Sequence, residues 1–119
     1  MKSSVLYDKA YAFAVRIVRM YQFLSTERKE FILSKQVVRS GTSIGANVSE
    51  AGHAHTRPDF IHKLTIAAKE ANETLYWLQL LRDTSYISDE AFISIEQDIR
   101  ELQKLLTASL NTAKANSVN

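Results

Sequence analysis

Glycine and proline together account for four of the 119 residues, and all four (Gly41, Gly45, Gly52 and Pro58) lie in one stretch near the middle. Sheet-rich folds need turn residues roughly every 8–12 positions. Neither the segment before Gly41 nor the segment after Pro58 has a glycine or proline to supply them. An all-β fold is excluded on this ground, and long helices are favoured. The length is that of one domain, residues 1–119, and 45% hydrophobic with 24% charged residues suffices for a single core. There is no cysteine, which removes disulfides, Cys-ligated metal centres and thiol catalysis. No apolar run approaches the ~18 residues of a membrane span. Asp8, Lys9 and Arg16 interrupt the N-terminal segment, so no signal peptide and no membrane partner are expected, and the chain reads as cytoplasmic.

Hydrophobic spacing resolves four helices. In the first, from about Ser4 to Leu24, Tyr7, Tyr11, Ala14, Ile17/Val18, Tyr21 and Leu24 recur every three or four residues and mark one helical face. Leu6, Phe13 and Met20 form a second row, so this helix is expected to touch more than one neighbour. Ser25-Thr26 offers an N-cap for a second helix over Glu27–Gly52, with Glu27 in its first turn. Its apolar row is Leu33, Val37, Gly41, Ile44, Val48 and Ala51. Gly41 and Gly45 each cost up to ~1 kcal/mol relative to Ala inside a helix. Their spacing is expected to mark where another main chain comes close, and Gly52 to supply the stop. Thr56-Arg57-Pro58-Asp59 then opens a third helix with a cap, a first-turn proline and an acid. Its seam is Ile61, Leu64, Ala68, Ala71, Leu75, Leu78 and Leu81. After a turn over Asp83–Ile87, Ser88 caps the fourth helix, whose row is Phe92, Ile95, Ile99, Leu102, Leu106, Leu110 and Ala113. The polar end, Ala115–Asn119, is expected to fray. Such short connections make successive helices antiparallel neighbours: an all-α, up-down-up-down four-helix bundle.

The most unusual stretch lies on the second helix. Gln36, Arg39, Ser43, Asn47 and Glu50 fall at offsets of 3, 7, 11 and 14, which puts them on one side. Two accounts compete. One is a half-buried polar ladder that satisfies itself against a neighbouring helix, with Arg39 paired to Glu70 or Glu73. The other is a phosphate or RNA-backbone site anchored by Arg39. Glu50 and His53 form a Glu-x-x-His pair, but di-iron bundles use two such motifs and only one is present. His53, His55 and His62 gather near one turn, where histidines commonly face water at a helix end. No metal or other cofactor is expected. Glu70 and Glu73 share a face with no cleft defined, so an ion pair is the simpler role. Trp77 lies on the Glu70 side and is expected to pack on the first helix or mark an interface. No spacing of Ser, His and Asp singles out a triad, and no catalytic residue is assigned.

The formal net charge is +2, too small to demand a polyanionic partner, but it is unevenly distributed. Residues 1–57 carry 9 Lys/Arg against 4 acids, and residues 58–119 carry 6 against 9, giving +5 and −3. The basic half could steer nucleic acid to one side, or the two halves, or two subunits, could attract each other.

The segment Gln36-x-x-Arg39-Ser40-Gly41-Thr42-Ser43-Ile44-Gly45-Ala46-Asn47-Val48-Ser49-Glu50-Ala51 closely resembles the signature of the 23S rRNA intervening-sequence proteins. Asp59-Phe60-Ile61-x-Lys63-Leu64-x-Ile66-Ala67-x-Lys69-Glu70-Ala71-x-Glu73-Thr74-x-Tyr76-Trp77-Leu78 resembles its second half. The Tyr11-to-Tyr21 helix and Glu30-Phe31-x-Leu33-x-x-Gln36 are similar too, so the likeness covers about residues 5–110. The resemblance implies a bundle that assembles into a homo-oligomeric ring, a pentamer in relatives. It also implies kinship of fold with the nucleic-acid-binding accessory proteins of diversity-generating retroelements. On this reading the shared polar positions are Gln36, Arg39, Ser43, Asn47, Glu50, Glu70 and Glu73.

Three readings of function are weighed, the first of them the one expected. The leading one is a non-enzymatic homo-oligomer that binds RNA or DNA, with Lys9, Arg16, Arg19, Arg28, Lys35 and Arg39 meeting phosphates. The second is a structural scaffold ring that docks a protein partner and has no nucleic-acid role. The third is a metal-dependent enzyme built on Glu50, His53, Glu70 and Glu73.

Overall fold

The structure, a computed structural model, describes residues 4–117. Four helices follow one another: α1 (Ser4–Thr26), α2 (Leu33–Gly52), α3 (Arg57–Asp83) and α4 (Asp89–Ser117). They form an antiparallel bundle of 51 × 21 × 20 Å in which each helix packs on its two sequence or ring neighbours. The α2–α3 contact is the most extensive and the α1–α4 contact the slightest. Among the described residues no helix is long and apolar enough to cross a membrane. Val118 and Asn119, part of the end expected to fray, lie outside the described residues, whereas the helix holds through Ser117.

The core is filled by Phe13, Ile17, Leu24, Ile44, Leu64, Leu78, Leu81, Ile95, Ile99, Leu102 and Leu106, all fully buried. Each contributes roughly 1.5–3 kcal/mol relative to an exposed side chain. The rows read for α3 and α4 are those that face inward, with Ile61, Ala68 and Leu110 half-buried at their edges. Thr56 Oγ1 accepts from the Asp59 N–H at 3.1 Å, and Ser88 Oγ accepts from the Ala91 N–H at 3.1 Å, so both expected caps form.

Helix α1 meets expectation in part. Phe13, Ile17 and Leu24 are buried together with Ala10, and Leu6 and Met20 of the second row pack against the core, whereas Tyr7, Tyr11 and Val18 of the first row point outward. The reason lies on α2. A Cβ built on Gly41 would sit 2.8 Å from Ile17 Cγ2, and one on Gly45 would sit 3.4 Å from the Ala10 carbonyl oxygen. Helix α1 is therefore the partner at both glycines: its main chain comes close at Gly45, as expected, whereas at Gly41 the Ile17 side chain takes the space. The helix turns small Ala10 inward, because a tyrosine there would hold the helices apart.

The start of α2 also differs. Ser25 and Thr26 close α1, their hydroxyls donating to Tyr21 O at 2.8 Å and Gln22 O at 2.6 Å. Residues 27–32 form a connection in which Lys29 is left-handed, φ 54°. Glu30 does the capping instead. Its carboxylate accepts from the N–H groups of Ile32 (3.1 Å), Leu33 (2.9 Å) and Ser34 (2.7 Å), and Ser34 Oγ donates to Glu30 O at 2.7 Å. These donors are the ones a helix start leaves without partners. Gly52 is the last helical residue, but no glycine has a positive φ, so it ends α2 without the left-handed turn that glycine commonly supplies there.

Candidate functional site

The polar side of α2 lies along the α2–α3 seam. Ser43 Oγ donates to Arg39 O at 2.7 Å, and Asn47 Nδ2 donates to Ser43 O at 2.9 Å. Both side chains are half-buried, as is Gln36. Arg39 reaches across to α3, with Nη1 3.5 Å from Glu70 Oε1 and Nη2 hydrogen-bonded to Glu73 Oε2. The same Glu73 oxygen accepts from Trp77 Nε1 at 3.2 Å, and Trp77 stacks edge-on against Tyr76 at 5.0 Å. Beneath this layer the buried Ser40 and Thr74 hydroxyls hydrogen-bond each other at 2.9 Å. Glu50, farther along, lies 4.0 Å from Lys63. Arg39, Glu70 and Glu73 thus occupy one charged cluster whose guanidinium is already engaged by two carboxylates.

Glu50, His53, Glu70 and Glu73 do not converge. Glu50 faces Lys63, the other two acids face Arg39, and His53 Nδ1 lies 3.1 Å from Ser49 O on its own helix. His53, His55 and His62 are exposed. Among the described residues no three His, Asp or Glu side chains are placed to hold a metal ion.

The six cations expected to meet phosphates divide by location. Lys9 pairs with Glu101 at 3.3 Å. Arg16 pairs with Asp98 at 2.8 Å, and its other nitrogen donates to Ser94 Oγ at 3.1 Å. Arg28 donates to the carbonyls of Ser85 (3.1 Å) and Tyr86 (2.9 Å) and lies over the Tyr86 ring at 5.1 Å. Arg19 and Lys35 are exposed and make no hydrogen bond or ion pair among the described residues.

Three of these six come together. Where α1 and α4 meet the α1–α2 and α3–α4 connections, a hollow of about 780 Å³ opens, and Arg16, Arg19 and Arg28 line it. They are joined there by Arg82, at the end of α3. Arg82 Nε donates to Asp83 Oδ1 at 2.9 Å, and its guanidinium lies 4.2 Å from the centre of the Phe92 ring. Four arginines and one acid, Asp89, line the hollow, and the remaining wall is largely apolar, including Met20, Phe23 and Tyr86. Two of the four guanidiniums are already paired outside the lining, Arg16 with Asp98 and Arg82 with Asp83. Lys9, Lys35 and Arg39 do not line it. Sequence spacing does not assemble this hollow, because Arg82 reaches it from the end of α3 and Tyr86 from the connection after it, both remote in sequence from α1. Its one local trace is the Arg16-x-x-Arg19-Met20-x-x-Phe23 series on a single side of α1.

A second surface feature lies at the other end of α1. Tyr7, Tyr11, Val15 and Val18, spaced by four, four and three, are 41, 60, 37 and 39% exposed. Tyr7 and Tyr11 stack at 6.2 Å and flank a shallow groove of about 250 Å³ floored by Ala14, Gly45 and Ala46.

Comparison with known proteins is consistent with this architecture. A crystal structure of a protein of unknown function from the S23 ribosomal protein family of Bacteroides thetaiotaomicron is 57% identical. The match covers 90% of this chain and 96% of that one with a TM-score of 0.89. No curated protein matches. Residues 2–108 match the family described as 23S rRNA-intervening sequence protein, and the chain belongs to that family.

Proposed function

We propose that this chain is a non-enzymatic module that self-associates into a homo-oligomer, a pentameric ring by resemblance to relatives, and acts in the cytoplasm as an RNA- or DNA-binding accessory protein. The observation that carries self-association is the stripe Tyr7, Tyr11, Val15 and Val18 on the outward side of α1. An aromatic and aliphatic row of this kind favours a protein surface over water. The groove beside it, with its small-residue floor, suits a side chain from a second copy. Light scattering at micromolar concentration should give a mass that is a multiple of the 13.5 kDa protomer. Tyr11→Glu should return it to the monomer with helicity unchanged. A monomeric parent protein would remove the proposal.

The nucleic-acid part is supported by the convergence of Arg16, Arg19, Arg28 and Arg82 on one hollow. Filter binding to structured RNA should show affinity that falls steeply with salt. The scaffold reading, in which the oligomer docks a protein and no nucleic acid, predicts no RNA binding even at low salt.

A further inference from the structure

We infer that the arginine-lined hollow takes an unpaired base of a single-stranded nucleic acid, with the neighbouring phosphates on its arginines. This inference rests on the nucleic-acid reading and adds the form of the ligand. The lining holds four arginines and Asp89. Arg16 and Arg82 are paired with Asp98 and Asp83, and Arg19 and Arg28 have no carboxylate partner among the described residues, so the surplus charge favours an anion. The arginines differ in what they can do. Arg28 and Arg82 are held in place, one by the Ser85 and Tyr86 carbonyls and the other by Asp83 and the Phe92 ring. Arg19 has no partner among the described residues. Two guanidiniums are therefore fixed in advance, and a third is available to close on a phosphate. A guanidinium presents its donors in a planar fork that fits phosphate oxygens.

The apolar part of the wall argues for more than phosphate. Phe23 is 44% exposed and Tyr86 is half-buried beneath Arg28. Aromatic faces bordered by arginines form a platform on which any base can stack. A duplex keeps its bases paired and stacked inside, and offers this concave site only phosphates on a convex surface. A single strand can place a base within it. The volume of about 780 Å³ leaves room for a nucleotide.

The experiment compares the whole protein binding a fluorescein-labelled 20-nucleotide oligo(U) strand and a blunt RNA duplex of equal length, by anisotropy at two salt concentrations. The parent protein should bind the single strand at least tenfold more tightly. Phe23→Ala should weaken single-strand binding by roughly five- to a hundredfold, the usual loss for one stacking platform, and leave duplex binding unchanged. Arg19→Gln should weaken both and reduce the salt slope by about one counterion. Phe23 and Arg19 are exposed, so gel filtration and circular dichroism should show both variants folded. Equal binding of the two ligands, indifferent to Phe23→Ala, overturns the base site while the nucleic-acid reading stands. Failure of the parent protein to bind either ligand at low salt overturns both.

Discussion

A methyl group is enough to separate the roles of the glycines. At Gly41 it would fall 2.8 Å from Ile17 Cγ2 and 2.9 Å from Cγ1. Ile17 is fully buried and β-branched, so its side chain has little freedom to turn aside. At Gly52 an added Cβ meets nothing within 4 Å, and the backbone there is not left-handed. Gly41→Ala should therefore destabilise the bundle by about 1–2 kcal/mol, the cost of overpacking outweighing the gain in helix propensity. Gly52→Ala should stabilise it by up to ~1 kcal/mol, since propensity and reduced unfolded-state entropy act without a clash. Urea unfolding of the two variants, read as opposite shifts in midpoint, checks this. A stabilised Gly41→Ala protein would mean that α1 and α2 are not pressed together at Ile17.

The helices differ in how local their causes are. Helix α2 begins on Glu30. Burial alone would raise the pKa of this carboxyl, but the N–H groups of Leu33, Ser34 and Ile32 and the Ser34 hydroxyl outweigh it and hold it below the ordinary carboxylate range. A carboxylate lowered on folding contributes stability that is complete above its unfolded pKa, about 4.3. That contribution is lost as pH falls through the folded value. Glu30→Gln should cost about 1–2 kcal/mol at neutral pH, on the scale of losing a helix N-cap. It should also flatten the decline in stability below about pH 4, measured by urea unfolding across a pH series. Identical acid limbs for the variant and the parent would show that Glu30 is not the group responsible. A glutamate placed two residues before the N-cap Ile32, after a left-handed lysine, has no sequence signature of the kind that Thr56 with Pro58, or Ser88 with two acids, provides. Those caps and the rows of α3 and α4 were legible because cap and periodicity lie within a few residues of each other. The inward face of α1 was legible only in part, at Leu6, Phe13 and Met20 and at Ile17 and Leu24, since Tyr7 and Tyr11 continue the first row in pattern and Ala10 stands in neither row. The choice between them is made by Gly41 and Gly45 on another helix. The candidate site divides the same way. The pairing of Arg39 with Glu70 and Glu73 could be read from helix faces, whereas the hollow depends on two connections folding over the α1–α4 seam.

Across the whole molecule the opposite charges of the two halves meet within one chain. Lys9–Glu101, Arg16–Asp98 and Arg39 with Glu70 and Glu73 each join a cation of the first half to an acid of the second. Two of these links cross the α1–α4 seam, where packing is slightest. The Lys9, Glu101, Arg16 and Asp98 side chains are 41–51% exposed, so the two pairs contribute only about 0–1 kcal/mol each. Such bonds can be exchanged for others of the same kind, and a phosphate oxygen accepts from a guanidinium as a carboxylate oxygen does. If the nucleic-acid reading holds, Asp98 and Glu101 compete with the ligand for Arg16 and Lys9. Replacing both, Asp98→Asn with Glu101→Gln, removes two acids and takes the formal net charge from +2 to +4. Stability should fall by no more than ~1 kcal/mol per pair, while affinity for structured RNA at low salt should rise several-fold. The gain should shrink as salt screens the unmasked cations. Filter binding of parent and double variant at 50 and 200 mM salt, beside urea unfolding of both, separates the two effects. Unchanged RNA affinity with the expected small loss of stability would make the α1–α4 pairs structural only and confine phosphate contact to Arg19, Arg28 and Arg82.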